Sequence, residues 1–321
     1  MKPINLYTVM PCYNEEEVLP ETLKRMLSLY KDMKADKLIS SSSRIVFVDD
    51  GSNDKTWDLI SQFEQEHTEV CGIKLAHNAG HQNALYGGLM TIKDMCDCAI
   101  SIDADLQDDI NIIPEMVRKF RDEACHVVYG VRNKRDTDSF FKRTTALGFY
   151  KLMQFMGVNM VYNHADYRLM SRESLAALGK FEERNLFLRG IVPLIGYKSD
   201  TVYYDRNERF AGKSKYPLKK MLSFAFDGIT SFSINPIRMI TVIGTFACLF
   251  AVVMAIYAIV QKFLGHTSEG WSSIICSIWF LGGLQLLGIG LIGEYIGKTY
   301  KEVKRRPRYI VEKFIGDTSC L

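Results

Sequence analysis

Residues 100–109, ISIDADLQDD, end an apolar run in four carboxylates, Asp103, Asp105, Asp108 and Asp109. Clustered carboxylates repel one another. A hard divalent cation relieves that repulsion and leaves coordination positions for water and phosphate oxygens. Asp103 and Asp105, an Asp-x-Asp pair at the end of an apolar run, therefore read as a candidate metal site. Asp108 and Asp109 stand just ahead of a helix-like segment and also fit a plainer role, because acids are favoured at helix N-termini.

The elements that must position these residues follow from periodicity. Short apolar, β-branched runs at 6–11, 44–50, 71–77, 98–104 and 126–131 read as strands. Segments 15–30, 54–67, 81–95 and 111–124 have helical spacing, with Asn53 or Asp54 and then Asn111 as N-caps. Strands alternating with helices imply a mostly parallel α/β sheet with helices on both faces. Ligands of such sheets bind beyond the carboxyl ends of the strands. That rule collects four polar segments at one edge: 11–15 (PCYNE), 49–52 (DDGS), 77–81 (HNAGH) and 103–105 (DAD). Farther along, 139–157 reads as a helix, 165–171 and 198–205 as extended pieces, and the charged stretch 206–217 as a loop.

The C-terminal third has a different composition. Residues 239–260 and 271–292 are two runs of 22 residues without a charge, and about 20 suffice to cross a hydrocarbon core as a helix. The connection QKFLGHTSEG is too short for a domain, so the runs read as a two-helix transmembrane hairpin. Lys213, Lys215, Lys219, Lys220 and Arg238 precede it, and Lys298, Lys301, Lys304, Arg305, Arg306 and Arg308 follow it. Positive flanks mark the cytoplasmic face, so both termini are expected there. Leu222, Ala225, Phe226, Ile229 and Phe232 fall at helical spacing after two lysines, as in an interfacial helix or an ordinary amphipathic one. The expected organisation is a cytoplasmic domain over 1–216, an amphipathic helix over 217–235, two spans within 236–296 and a basic cytoplasmic tail over 297–321.

Composition narrows the function. The eight cysteines include no C-x-x-C pair and read as reduced structural thiols. The net charge of +3 is small and the basic residues gather beside the spans, so nucleic acid is not an expected partner. The N-terminus turns acidic before an apolar signal region could develop.

The segments VMPCYNEE, VFVDDGSNDKT, HNAGHQNALYGGL, SIDADLQDD, ADYRLMSR and RFAGKSKYPLKKM occur in this order ahead of the two apolar runs. In that order they resemble family-2 glycosyltransferases of the polyprenyl-phosphate branch, across essentially the whole chain. The resemblance implies a GT-A, Rossmann-like domain. It implies inverting sugar transfer from a nucleotide diphosphate sugar, UDP-glucose or UDP-N-acetylhexosamine, to undecaprenyl phosphate at the cytoplasmic membrane face, and it allows a homo-oligomer. Position by position, it implies a nucleotide-sugar pocket at Pro11, Tyr13, Glu15, Asp49, Asp50 and Asp103. It implies Mg²⁺ or Mn²⁺ at Asp103, Asp105 and Gln107, catalytic roles for Asp105 and Asp166, and an acceptor-phosphate site at Arg168, Arg209, Lys213, Ser214 and Lys215.

Each role has a plainer rival. Glu15 could open a helix, Asp49 and Asp50 could shape a turn, Asp166 could pair with Arg168, and residues 209–215 could bind anionic lipid. His77 stands where related enzymes often carry arginine, and a histidine with an ordinary pKa of about 6.5 can be neutral. His81 and His164 read as local hydrogen-bond partners. Two other functions share the fold: a non-catalytic membrane scaffold and a polysaccharide synthase. The latter is disfavoured because none of Trp57, Trp271 and Trp279 follows an arginine.

Overall fold

The computed structural model describes residues 2–133, 164–184, 186–205, 235–263 and 270–316. Eight strands form one sheet: β1 (Leu6–Cys12), β2 (Arg44–Asp49), β3 (Val70–Leu75), β4 (Cys98–Ser101), β5 (Val127–Arg132), β6 (His164–Ser171), β7 (Ser199–Tyr204) and β8 (Val311–Ile315). Their order is β7-β5-β6-β4-β1-β2-β3-β8. The helices are α1 (Leu19–Ala35), α2 (Thr56–Glu66), α3 (His81–Ile92), α4 (Ile113–Glu123), α5 (Arg172–Leu178), α6 (Leu188–Leu194), α7 (Asn235–Phe263) and α8 (Trp271–Lys304).

The centre of the sheet is parallel, with β1 between β2 and β4 and β3 beyond β2. Every residue of β1 is buried, as a strand covered on both faces requires. Side chains alternate between those faces. Leu6 and Met10 of β1, with Ile45 and Phe47 of β2, join one apolar cluster with Leu19, Leu23, Met26, Tyr30 and Met33 of α1. Val9 and Val48 point the other way, against Gly88 of α3. The α1 residues recur at three and four positions, so one stripe of that helix is buried.

The antiparallel strands are what complete the functional edge. β6 runs opposite to both β4 and β5, with Ser101 level with Arg168 and Val131 level with His164. Its first residues thus lie beside the last residues of β4 and β5. β7 is parallel to β5, so Arg132 and Tyr204 end at the same edge.

Several boundaries differ from the sequence expectation. β4 stops at Ser101, so the Asp-x-Asp pair lies in the loop after the strand. α1 begins at Leu19, and Glu15 sits in the preceding turn, its carbonyl accepting from the Val18 and Leu19 amides at 3.1 and 3.0 Å. The 3₁₀ turn Ile110–Ile112 ahead of α4 is capped by Asp109, which accepts from the Asn111 amide, rather than by Asn111.

The C-terminal segment departs most. Expected as a basic tail, it places β8 antiparallel to β3 as an edge strand. An edge strand needs only one apolar face and a pairing partner, so VEKFI gives a weak signal on its own.

The chain divides into two compact units. The first comprises the sheet with α1 to α6 and includes the residues from Arg306 onward; the second contains α7 and α8, which pack against each other. These two helices contain the two apolar runs. Among the described residues one segment, Phe280–Lys304, is by length and composition apolar enough to cross a membrane. The helix expected over 139–157 and nearly all of the amphipathic helix expected over 217–235 lie outside the described residues.

Candidate active site

The loops after β1, β2 and β3 are tied together by side chains. Asn14, at φ 55°, receives a hydrogen bond from the Asn53 amide at 2.9 Å, and its own amide donates to Ser52 Oγ at 3.0 Å. The Glu15 amide donates to Thr56 Oγ1 at 2.9 Å. Gly51 has φ 66°, and a Cβ there would stand 2.7 Å from the Asn78 nitrogen, so glycine is required where the second loop crosses the third.

Asp49 and Asp50, adjacent in sequence, serve different purposes. Asp50 is 3% exposed, and its two carboxylate oxygens accept from the Ala79 and Gly80 amides at 2.7 and 3.0 Å. It fixes the entry to α3. Asp49 is fully buried; Oδ1 accepts from the Ser52 amide at 3.1 Å, and Oδ2 has no partner among the described residues. Burial raises the pKa of both carboxyls. Pro11 is buried near the end of β1, and Tyr13 is 39% exposed just beyond it. Asp49 Oδ2 is thus an unused acceptor in the loop region that the sequence marked as a nucleotide pocket.

The Asp-x-Asp loop has a rigid base. Leu106 adopts φ 57°, and the Asp105 carboxylate accepts from the Gln107 amide at 3.1 Å. Asp108 does not cap a helix. It is 2% exposed and accepts from Tyr204 Oη at 2.6 Å and from Arg132 Nη2 at 2.9 Å. This pair, with Asp108 buried and Arg132 partly exposed, pins the loop to the ends of β5 and β7.

Asp103 remains 40% exposed at the side chain. Partial burial raises its pKa, with a further push from the negative charges of Asp108, Asp166 and Asp105 against the opposing pull of His81. A site of hard oxygen donors with surplus negative charge fits a divalent cation, with Asp103 and Asp105 as the donors the structure offers. Among the described residues, the triple of ligating side chains that converges within 4.8 Å is elsewhere, at Glu123, Cys125 and Asp200. Lys119 already pairs with that Asp200.

Beside Asp103 lies a second charged group. Asp166 is 7% exposed; Oδ1 accepts from Arg168, and Oδ2 from Arg189 Nη2 at 3.2 Å. His81 Nε2 is 3.5 Å from Asp103 Oδ1 and 3.9 Å from Asp166 Oδ2, bridging the two carboxylates. Burial alone would raise the Asp166 pKa, but Arg189, Arg168 and His81 together hold it well below the ordinary carboxylate range. An acid this well compensated is a poor proton acceptor near neutrality.

Arg168, expected at the acceptor phosphate, has a side chain that is 2% exposed and engaged with Asp166 and the Leu188 carbonyl. The more open cation is Arg189, 32% exposed, which sequence reasoning missed. An isolated arginine inside the apolar run NLFLRGIVPL is the signal that finds it. Arg132 was missed too, although the carboxyl-end rule applied to β5 reaches it directly. Arg209, Lys213, Ser214 and Lys215 lie outside the described residues.

Comparison with known proteins identifies the family. The family model described as "Glycosyl transferase family 2" matches residues 7–179. The chain belongs to that family. It is 58% identical over 307 residues to the uncharacterized glycosyltransferase YkoT of Bacillus subtilis (strain 168), covering 96% of this chain and 91% of that protein. It is 39% identical over 307 residues to the SfII prophage-derived bactoprenol glucosyl transferase of Shigella flexneri, covering 95% of this chain and 96% of that protein. Glucosyl-3-phosphoglycerate synthase from Mycobacterium tuberculosis aligns with 71% of this chain and 76% of its own at TM-score 0.44 and 17% identity, too distant to carry an argument about ligands. The family-2 chain thus carries its glycosyltransferase motifs on a mixed, mostly parallel GT-A sheet, and Asp49, Asp103 and Asp166 share one edge of it.

Proposed function

We propose that this glycosyltransferase moves a sugar from a nucleotide diphosphate sugar to polyprenyl phosphate at the cytoplasmic face of a membrane, with inversion at the anomeric carbon. The observation that carries the reading is the 39% identity to a bactoprenol glucosyl transferase across 95% of the chain, which extends through both apolar helices. The proposed donor is UDP-glucose or a UDP-N-acetylhexosamine. Asp49 Oδ2, a buried acceptor without a partner, suits a uracil N3–H. Tyr13, Glu15 and Pro11 are proposed to line the same pocket, with Asp50 holding its wall.

Asp103 and Asp105, with Gln107 nearby, would hold Mg²⁺ or Mn²⁺, which supplies Lewis-acid stabilisation of the charge growing on the departing diphosphate. In the reaction the bond from C1 to the diphosphate oxygen breaks, and an acceptor phosphate oxygen bonds to C1 from the opposite face. A phosphate monoester has a second pKa of about 6, so the acceptor is largely dianionic at pH 7 and needs no base. Asp166, clamped between two arginines, therefore orients rather than deprotonates. Arg132 and Arg189, partly exposed at this edge, offset the repulsion between two anionic substrates through charge-assisted contacts. Arg209, Lys213, Ser214 and Lys215 are proposed to join them.

α7 and α8 are proposed as the two spans. Phe246, Phe250, Phe280 and Leu286 are each at least 66% exposed on them, an apolar surface suited to lipid. Anchoring holds the site at headgroup height and turns a search in solution into one along a surface. Full-length protein in membranes, given undecaprenyl phosphate and a panel of nucleotide sugars, should yield one polyprenyl-phosphate monosaccharide identifiable by mass. Donor hydrolysis without any lipid product would overturn the reading.

A further inference from the structure

α3 carries His81, which touches both Asp103 and Asp166, and Gln82, whose Oε1 accepts from the Leu188 amide at 3.1 Å. The position of this helix therefore sets how the two charged groups of the site face each other. Two adjacent glycines determine where it lies. At Gly88 a Cβ would meet Val48 Cγ2 at 2.6 Å and Val9 Cγ1 at 2.7 Å, so the helix rests directly on β1 and β2. At Gly87 a Cβ would meet the Tyr309 ring at 2.9 Å. Tyr309 comes from the C-terminal segment and meets a different face of the helix from the one that Gly88 turns to the sheet.

That segment is fastened at several points. Arg308 Nη2 donates to the Phe181 carbonyl at 2.7 Å, and its guanidinium lies 4.7 Å from the Tyr86 ring centroid. Tyr309 meets Tyr86 edge-on, with ring centroids 6.1 Å apart. The Ala76 amide donates to the Ile310 carbonyl at 2.9 Å, after which β8 pairs with β3. The chain reaches this strap directly from α8, which ends at Lys304.

We infer that residues 308–315 are a strap that sets catalytic geometry by wedging Tyr309 into the notch at Gly87, making Tyr309 and Arg308 positioning residues for sugar transfer. The inference rests on the proposed transferase activity. The wedge clamps α3 against the sheet, and misplacement of a supporting element by about 1 Å can cost about 100-fold in rate. Were the strap merely a stabilising edge strand, loosening it would lower the melting temperature and leave the kinetics of the folded protein unchanged.

The test uses the full chain in membranes or detergent, below its melting transition. Tyr309→Ala should lower kcat at least tenfold with donor KM changed less than about threefold, and it should speed hydrogen exchange at residues 79–86. Tyr309→Phe, which keeps the ring, should restore kcat. Gly87→Ala should mimic Tyr309→Ala, and the double variant should be no slower than Tyr309→Ala alone, because one notch is emptied or filled in each case. Should Tyr309→Ala prove too unstable to purify, Gly87→Ala and Arg308→Met give the same readouts. An unchanged kcat in these variants, or a Phe variant as slow as the Ala variant, overturns the strap. A wild type that transfers no sugar overturns the activity on which it rests, a separable result.

Discussion

Replacing Arg168 with methionine removes one partner of a buried ion pair and preserves most of the side-chain volume. Deleting one member of such a pair ordinarily costs about 3–5 kcal/mol, since a buried charge is left uncompensated. Here Asp166 keeps Arg189 at 3.2 Å and His81 at 3.9 Å, so a cost just under that range, about 2–3 kcal/mol, is expected. For a unit of roughly 200 residues this corresponds to a fall in melting temperature of about 4–12 °C. Arg189→Met removes a cation that is 32% exposed and should cost only about 1 kcal/mol or less. The kinetic ranking should be the reverse, with Arg189→Met raising the acceptor KM more than Arg168→Met does. Tryptophan fluorescence melts in detergent, with Trp57 reporting on the catalytic unit, check the first claim, and initial rates against undecaprenyl phosphate check the second. The assignment of Arg168 as a supporting residue fails if Arg168→Met melts within about 1 °C of wild type, or less destabilised than Arg189→Met.

Asp105→Ala should reduce sugar transfer by at least about 100-fold, the scale for losing a main electrostatic stabiliser, while the protein still inserts in membranes and melts near wild type. Retained turnover would remove Asp105 from the site. Asp49→Ala should raise donor KM about 10–100-fold, the loss expected for a hydrogen bond to a charged group, with little change at saturating donor. An effect on the acceptor KM alone would contradict its placement. The depressed pKa of Asp166 also fixes a pH dependence. Its folded value lies below the unfolded value of about 3.9, so its contribution is fully present above that value and lost as pH falls through the folded one. The melting difference between wild type and Asp166→Asn should therefore stay level from pH 8 to about pH 5 and shrink only below about pH 4. A difference that vanishes by pH 6 would contradict the ion-pair cluster.

Much of this fold was legible in the sequence because the central strands are buried on both faces, where only apolar and β-branched residues serve. The carboxyl-end rule then collected Asp49, Asp103 and the start of α3 without coordinates. The plain pairing of Asp166 with Arg168 was also visible, since residues two apart on a strand share a face. What escaped depended on contacts distant in sequence. Asp108 meets Arg132 across 24 positions and Tyr204 across 96, and no local pattern joins them. Arg189 sat in an apolar run that resembled core. β8 followed a basic stretch that resembled a tail. The division between Asp49 and Asp50 was equally hidden, because adjacent side chains take different partners only once the third loop is folded over them.

The most direct measurement is transfer of sugar to undecaprenyl phosphate by full-length protein, followed by mass of the lipid product, first in chelator and then after adding back Mn²⁺ or Mg²⁺. Product should be absent in chelator and return with the metal. Undiminished product in chelator, or no lipid-linked sugar with any nucleotide sugar even when metal is present, would contradict the account.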